Sequence, residues 1–136
     1  MSINLSTALK LIDAARKKAD EIGVPMVIAV VDDGGNLVAQ VRMDGALLVS
    51  VDIARNKAYT AAAVKVATHE LGAVSQPNQP LFGIHVADGC RIVIFGGGFP
   101  LKKKDKVIGG IGVSGGSVEQ DMECAKAALE RLESTR

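Results

Sequence analysis

The sequence of 136 residues is poor in aromatic side chains, with three Phe, one Tyr and no Trp. Flat aromatic platforms that stack nucleic-acid bases or sugars are therefore not expected. Charge of one sign is also missing, because 16 Lys and Arg stand against 15 Asp and Glu, a formal net charge of +1. We expect no nucleic-acid partner, since no basic face is available to release counterions.

Long apolar runs are absent as well, and none approaches the roughly 20 residues that a membrane-spanning helix needs. Residues 1–4 lack the basic and then apolar pattern of a signal peptide. We therefore expect a cytoplasmic protein without a membrane partner. The length predicts a single domain, residues 1–136.

Cysteine and histidine are scarce, with two residues of each type. Cys90 and Cys124 form no CxxC pair, and we expect reduced and mostly buried thiols. His69-Glu70 begins an HExxH motif, but Ala73 stands where the second histidine is needed. This excludes the zinc-hydrolase motif, and with only His69 and His85 available a structural zinc site is not expected.

Glycine is the residue in excess, at 15 of 136 or about 11%, against about 7% in an average protein. Residues 110–115 match the dinucleotide motif GxGxxG, but no further strand follows the predicted last helix. Ser114 lies in a GxSxG sequence, yet no histidine follows it to complete a nucleophile elbow. Gly115-Gly116-Ser117 can form an anion site at a helix start, or tight turns and close packing.

Apolar periodicity and β-branched runs divide the chain into helices and hairpin-connected strands. The pattern predicts helices over 4–22, 47–66 and 117–132, and strands over 26–31, 37–43, 84–86, 91–95 and 107–113. Gly96–Pro100 is expected to break the fourth strand, and 101–106 to form a solvated polar connection. The element order predicts an α+β fold with a mainly antiparallel sheet of about five strands.

Capping residues predict where two of these helices begin or end. Asn4 or Ser6 can accept a free backbone N–H at the start of the first helix, and Gly23 is suited to a left-handed residue at its end. Ser117 and Gln120 have capping-box spacing at the start of the last helix.

Several blocks of the sequence together resemble one family. They are Arg42-Met43-Asp44-Gly45, Ala54 with Lys57-Ala58, Thr68-His69-Glu70-Leu71, Gln76-Pro77 to Leu81, Arg91–Pro100, Ile108–Gly116 and Glu119-Gln120-Asp121. The blocks run in order from about residue 26 to 125. They are similar to the GlcG/HbpS-like family, and most closely to the C-terminal domain of PduO and its stand-alone relatives.

The resemblance implies a profilin-like α/β/α fold and a homo-oligomer, a dimer or larger. It implies binding of haem or a corrinoid-type tetrapyrrole, accessory to cobalamin-dependent diol, glycerol or glycolate utilisation. The adenosyltransferase activity of PduO belongs to a separate N-terminal domain and is not implied here. Haem-binding relatives use a histidine of the N-terminal helix, and 4–22 hold none, which leaves His69 or His85 as the haem ligand, or a pocket that holds haem without a histidine ligand.

We hypothesise one ligand pocket, lined by polar and small residues at the ends of elements: Arg42, Asp44, Lys57, His69, Gly97, Gly98 and Ser114. Arg42 and Lys57 can pair with carboxylates such as haem propionates. One alternative is a small hydrolase or lyase that uses Asp44, His69 or Ser114. Another is a scaffold subunit without a ligand, whose alanine-rich second helix makes the contacts.

Overall fold

The computed structural model describes residues 1–135 and arranges them as a sheet between two layers of helices. The helices are α1 (Leu5–Ile22), α2 (Val49–Val64), α3 (Thr68–Ala73), α4 (Ala87–Cys90) and α5 (Val118–Glu133), with a 3₁₀ turn at Ile84–Val86. The strands are β1 (Val27–Asp32), β2 (Leu37–Arg42), β3 (Gly98–Lys103) and β4 (Lys106–Ser114). Arg136, the last residue of the predicted domain, lies outside the described residues. Across residues 1–135 the longest helices are too polar or too short to cross a membrane.

The sheet has the strand order β2-β1-β4-β3, and its neighbouring strands are antiparallel. Val27 at the start of β1 lies opposite Arg42 on one side and Ser114 on the other. The predicted α+β class, antiparallel sheet and α/β/α layers are confirmed. The sheet of the described chain has four strands, however, where we expected about five.

β1 is buried on both faces, which explains its continuous apolar sequence. Ile28 and Val30 pack into a core with residues of α1 and α5. Val27, Ala29 and Val31 point to the other face, against alanines of α2. Alternate side chains of β1 therefore pack into two different hydrophobic cores, one on each face of the sheet.

The glycines of β4 bring the strand against the backbone of α2. A Cβ atom at Gly112 would lie 2.0 Å from the carbonyl oxygen of Ala54, and one at Gly110 would lie 2.2 Å from that of Ala58. No side chain fits at such distances. The motif-like run 110–115 therefore serves helix-to-strand packing.

Two predicted strands are wrong. Ile84–Val86 forms a 3₁₀ turn after Gly83, whose φ of 101° suits glycine. Residues 91–95 are irregular, because a side chain takes the place of a neighbouring strand. The Thr60 hydroxyl donates to the Arg91 carbonyl at 3.2 Å and accepts from the Val93 amide at 2.9 Å.

The third strand of the sheet is instead the segment that we expected to break one. β3 begins at Gly98 and includes Pro100. Proline has no backbone N–H, and β3 tolerates it because the outer side of an edge strand needs no hydrogen-bond partner in the sheet. The connection predicted over 101–106 shrinks to Lys104 and Asp105, with φ of 51° and 65°.

The predicted caps are confirmed. The Asn4 side chain accepts from the Thr7 amide at 2.9 Å, and Gly23 ends α1 with φ of 72°. Ser117 and Gln120 exchange side-chain and backbone hydrogen bonds at the start of α5.

Candidate functional site

A buried ion pair joins the two helix layers at the end of β4. The Lys57 Nζ of α2 donates to Asp121 Oδ2 of α5 at 2.9 Å and to the Val113 carbonyl at 2.8 Å. Lys57 is 0% exposed and Asp121 is 3% exposed. Asp121 Oδ1 also accepts from the Gly116 amide at 2.9 Å. The pair therefore fixes α2, β4 and the start of α5 together.

Burial dominates the electrostatics of this pair. Desolvation lowers the pKa of Lys57, and the neighbouring Asp121 carboxylate opposes that shift. Desolvation likewise raises the pKa of Asp121, against the attraction of Lys57. The ring of Phe95 lies 5.2 Å from the ammonium. Removing one partner would leave the charge of the other buried and unpaired.

The glycines before β3 leave room for this lysine. A Cβ atom at Gly97 would lie 2.6 Å from Lys57 Nζ, and one at Gly98 would lie 2.5 Å from the Lys57 carbonyl oxygen. Gly97 also has φ of 126°, which side chains rarely adopt. The Thr68 hydroxyl accepts from the Gly98 amide at 2.9 Å and ties α3 to the same point.

Ser114 contacts a hydroxyl and not a base. It is 5% exposed, and its Oγ donates to Ser50 Oγ at 3.1 Å. His69 is exposed at the start of α3, and Asp44 is exposed in the turn after β2. The base-to-nucleophile contact that the hydrolase alternative requires is not formed by these residues.

His69 lies beside the buried group, on the surface. It follows Thr68 at the start of α3, and its ring centroid is 5.6 Å from that of Phe99. Nearby, Phe95 is 46% exposed, and a Cβ atom at Gly96 would lie 2.6 Å from the Met122 sulfur. We call this region the His69 surface: His69 and Phe95 are exposed, Met122 is partly buried, and Phe99 is buried at 8% exposure. It combines an accessible imidazole with apolar side chains.

His85 has different surroundings. It is half-buried in the 3₁₀ turn, with its ring 6.1 Å from that of Phe82. Its Nδ1 is buried and makes no hydrogen bond among the described residues.

Arg42 and Asp44 line a separate groove of about 320 Å³, together with Arg16, Asp20 and Met43. Arg16 is already paired with Asp13 at 2.7 Å and with Asp20 at 3.4 Å. The predicted site residues thus form two groups. Lys57, Gly97, Gly98 and Ser114 come together with His69 adjoining, whereas Arg42 and Asp44 lie apart.

Asp121 is the central residue that sequence reasoning missed. Asp121 lies in the first turn of α5, where an acidic residue is common because it offsets the helix dipole. Its position in the sequence therefore gave no sign that it pairs with a lysine on another helix. Asp121 also decides between the two alternatives left open at Gly115–Ser117, an anion site or tight turns and close packing, in favour of the second. The Gly116 amide donates to Asp121, and the Ser117 amide donates to Gln120 Oε1 at 2.9 Å.

The prediction that both thiols are mostly buried is correct for Cys124 and wrong for Cys90. Cys124 is buried, and burial raises the pKa of its thiol to about 11. Cys90 is exposed. Residues 1–135 contain no group of three or more His, Cys, Asp or Glu placed to hold a metal ion.

Comparison with known proteins connects this architecture to a family. The family described as haem degrading protein HbpS-like matches residues 3–130. An uncharacterised 15.0 kDa protein of the dhaT-dhaS intergenic region of Citrobacter freundii is 49% identical over 95% of this chain and 91% of that protein. The corrinoid adenosyltransferase PduO of the same organism is 44% identical over 97% of this chain, but over only 39% of its own length.

A solved structure agrees with these sequence matches. The crystal structure of a PduOC:Heme complex superposes with a TM-score of 0.92 at 42% identity, over 96% of this chain and 94% of that one. The chain belongs to the HbpS-like family.

Proposed function

We propose that this chain is a tetrapyrrole-binding protein, that haem is its ligand, and that it assists cobalamin-dependent diol or glycerol utilisation. The observation that carries the proposal is the 42% identity to the PduOC:Heme complex over 96% of the chain. The relative from the dhaT-dhaS region and the corrinoid adenosyltransferase PduO support the metabolic setting.

In this proposal the His69 surface receives the haem. An imidazole is a common axial ligand of haem iron, and His69 is exposed beside an aromatic ring. Phe95 and Met122 offer apolar contact to the macrocycle, so the residues present fit the group. Bound haem would supply iron-centred chemistry, and the chain would contribute the imidazole ligand and the apolar contacts.

The other residues of the hypothesised pocket are either buried inside the protein or exposed in a separate groove. Lys57 and Ser114 are engaged inside the protein, by the Val113 carbonyl and the Ser50 hydroxyl, and Gly97 and Gly98 pack closely against Lys57. Arg42 is exposed, but it lies in the separate groove described above, so the proposal gives its guanidinium no contact with a ligand on the His69 surface. Asp44 lies beside it in the same groove.

Haemin titration followed by visible absorbance tests the proposal. We expect a saturable spectral shift at micromolar haemin, and a weaker and altered one in His69→Ala. His85→Ala is the matched control, because it removes the other imidazole, and it should behave like the parent chain. A chain that gives no shift with haemin or with aquocobalamin does not bind tetrapyrroles. Equal spectra for both variants would rule out His69 as the ligand.

We also propose that the chain is a homo-oligomer. The start of α2 carries a run of exposed apolar side chains, with Leu47 61%, Leu48 78% and Val49 58% exposed. Leu48 is also the N-cap of α2 and makes no side-chain cap bond, where Ser or Asp would be usual. A second copy of this chain that covers the run would bury these apolar side chains.

Light scattering coupled to gel filtration tests this assembly. The parent chain should elute as a dimer or larger, and Leu48→Glu should shift it toward the monomer. Leu9→Glu on α1, where the leucine is 49% exposed, is the matched control and should leave the mass unchanged. A monomeric parent chain at all concentrations would exclude both the homo-oligomer and the scaffold alternative.

A further inference from the structure

The turn between β3 and β4 carries a dense group of lysines with a single acid. Lys102, Lys103, Lys104 and Lys106 surround Asp105, and all five residues are exposed. Among residues 1–135 the ion pairs involve other lysines, so these four have no carboxylate partner. Their positive charge is therefore available to a ligand.

The lysines form one wall of a groove. Two adjoining depressions of about 390 and 180 Å³ share Met1, Lys103 and Ile108 in their lining. The opposite wall is the N-terminal segment, held to β4 because the Ile3 amide donates to the Ile108 carbonyl at 2.9 Å. The start of α1 closes the groove with the polar side chains of Asn4, Thr7 and Lys10.

Charge is segregated in this groove. Its lining contains Lys10, Lys103, Lys104 and Lys106 and no Asp or Glu, in a chain with 16 basic and 15 acidic residues. The groove beside Arg42 holds two arginines and two aspartates and is balanced. The first turn of α1 also lacks an acidic residue. The positive end of the helix dipole thus adds to the lysine charge.

We propose that this hairpin groove binds a small molecule through a diphosphate or triphosphate group. Lysine ammonium groups bind phosphate as point charges, and the lining supplies four of them with no carboxylate to compete. Four cations match the charge of a triphosphate. The volume of the groove suits a small ligand.

Isothermal titration with inorganic tripolyphosphate tests the proposal, with sodium sulfate at equal ionic strength as the comparison anion. The test variant is Lys103→Gln/Lys104→Gln/Lys106→Gln. The matched control is Lys17→Gln/Lys65→Gln/Lys126→Gln, which removes the same charge from exposed positions elsewhere. We expect saturable 1:1 binding of tripolyphosphate, at least about tenfold weaker in the test variant and nearly unchanged in the control.

Three outcomes would overturn the proposal: no saturable binding, equal weakening in both triple variants, or sulfate binding as tight as tripolyphosphate. Each would mean that the lysines attract anions only through overall charge and serve to shield the edge strand β3 from pairing. Circular dichroism of each variant checks the fold. Haemin binding is measured in parallel, so the outcome for this groove stays separate from that for the His69 surface.

Discussion

The two ends of the β3–β4 pair hold lysine in opposite situations. At one end Lys57 is 0% exposed, donates to Asp121 and the Val113 carbonyl, and lies beneath Phe95. At the other end the lysines of the turn are exposed and have no carboxylate partner among the described residues. The buried lysine satisfies its charge inside the protein, whereas the exposed ones leave theirs for solvent or a ligand.

This difference separates structural charge from charge available for binding. A buried ammonium can be tolerated only with a partner, so its role is to hold elements in place. An exposed ammonium costs little to keep and contributes little to stability. Changes at the two ends should therefore affect different measurements: unfolding at the first and ligand binding at the second.

The largest effect is expected from Lys57→Met. It leaves the Asp121 carboxylate buried without its cation, and we expect a loss of about 3–5 kcal/mol in the free energy of unfolding. Urea denaturation followed by circular dichroism measures it. Lys57→Met/Asp121→Leu should recover part of the loss, because both charges then leave the interior. A single variant within about 0.5 kcal/mol of the parent chain would show that the pair is not structural.

Gly97→Ala should have the next largest effect, because it inserts a methyl group into the space that Lys57 occupies. The added Cβ would lie 2.6 Å from both Lys57 Nζ and the Val113 carbonyl oxygen. We expect a loss of about 1–3 kcal/mol on thermal or urea denaturation.

The control for this change is Gly83→Ala. Gly83 also has a strongly positive φ, of 101°, but no heavy atom lies within 4 Å of its added Cβ. The loss in the free energy of unfolding of this control variant measures the backbone strain alone. Equal losses at both positions would mean that φ, and not the lysine, requires glycine at residue 97.

Burial also divides the cysteines and predicts a pH effect. The folded pKa of Cys124, about 11, lies above its unfolded value of 9.0. The unfolded chain therefore loses the thiol proton first, and the contribution of Cys124 to stability falls as pH rises from 9.0 to about 11. The difference in unfolding free energy between the parent chain and Cys124→Ala should shrink by up to about 2 kcal/mol over this range.

Cys90→Ala is the control for the pH effect, because Cys90 is exposed. The difference between its curve and that of the parent chain should stay constant with pH. A constant difference for Cys124→Ala as well would contradict the burial of that thiol.

Local signals predicted much of the fold. Asn4, Gly23 and Ser117 mark helix ends through contacts within a few residues, and β1 is apolar because both its faces are covered. The strand predicted at 91–95 failed for a non-local reason. Its backbone groups bond to the hydroxyl of Thr60, about thirty positions earlier.

The candidate site was less predictable for the same reason. Lys57, Gly97, Gly98 and Ser114 do come together, but the residue that organises them is Asp121, 64 positions from Lys57. Spacing within one helix carries no information about such a partner. The glycine runs suggested ligand loops, whereas Gly97, Gly98, Gly110 and Gly112 make room for α2 or Lys57.

The smallest effect on stability is expected at the exposed end. Lys103→Gln and Lys104→Gln should each change the free energy of unfolding by less than about 0.5 kcal/mol, since neither lysine has a partner to lose. Urea denaturation at low and high salt is the measurement, with Lys65→Gln as control. A gain in stability at low salt alone would show that the lysines repel one another. Such repulsion is what a bound polyphosphate would relieve, so tripolyphosphate should stabilise the parent chain more than these variants.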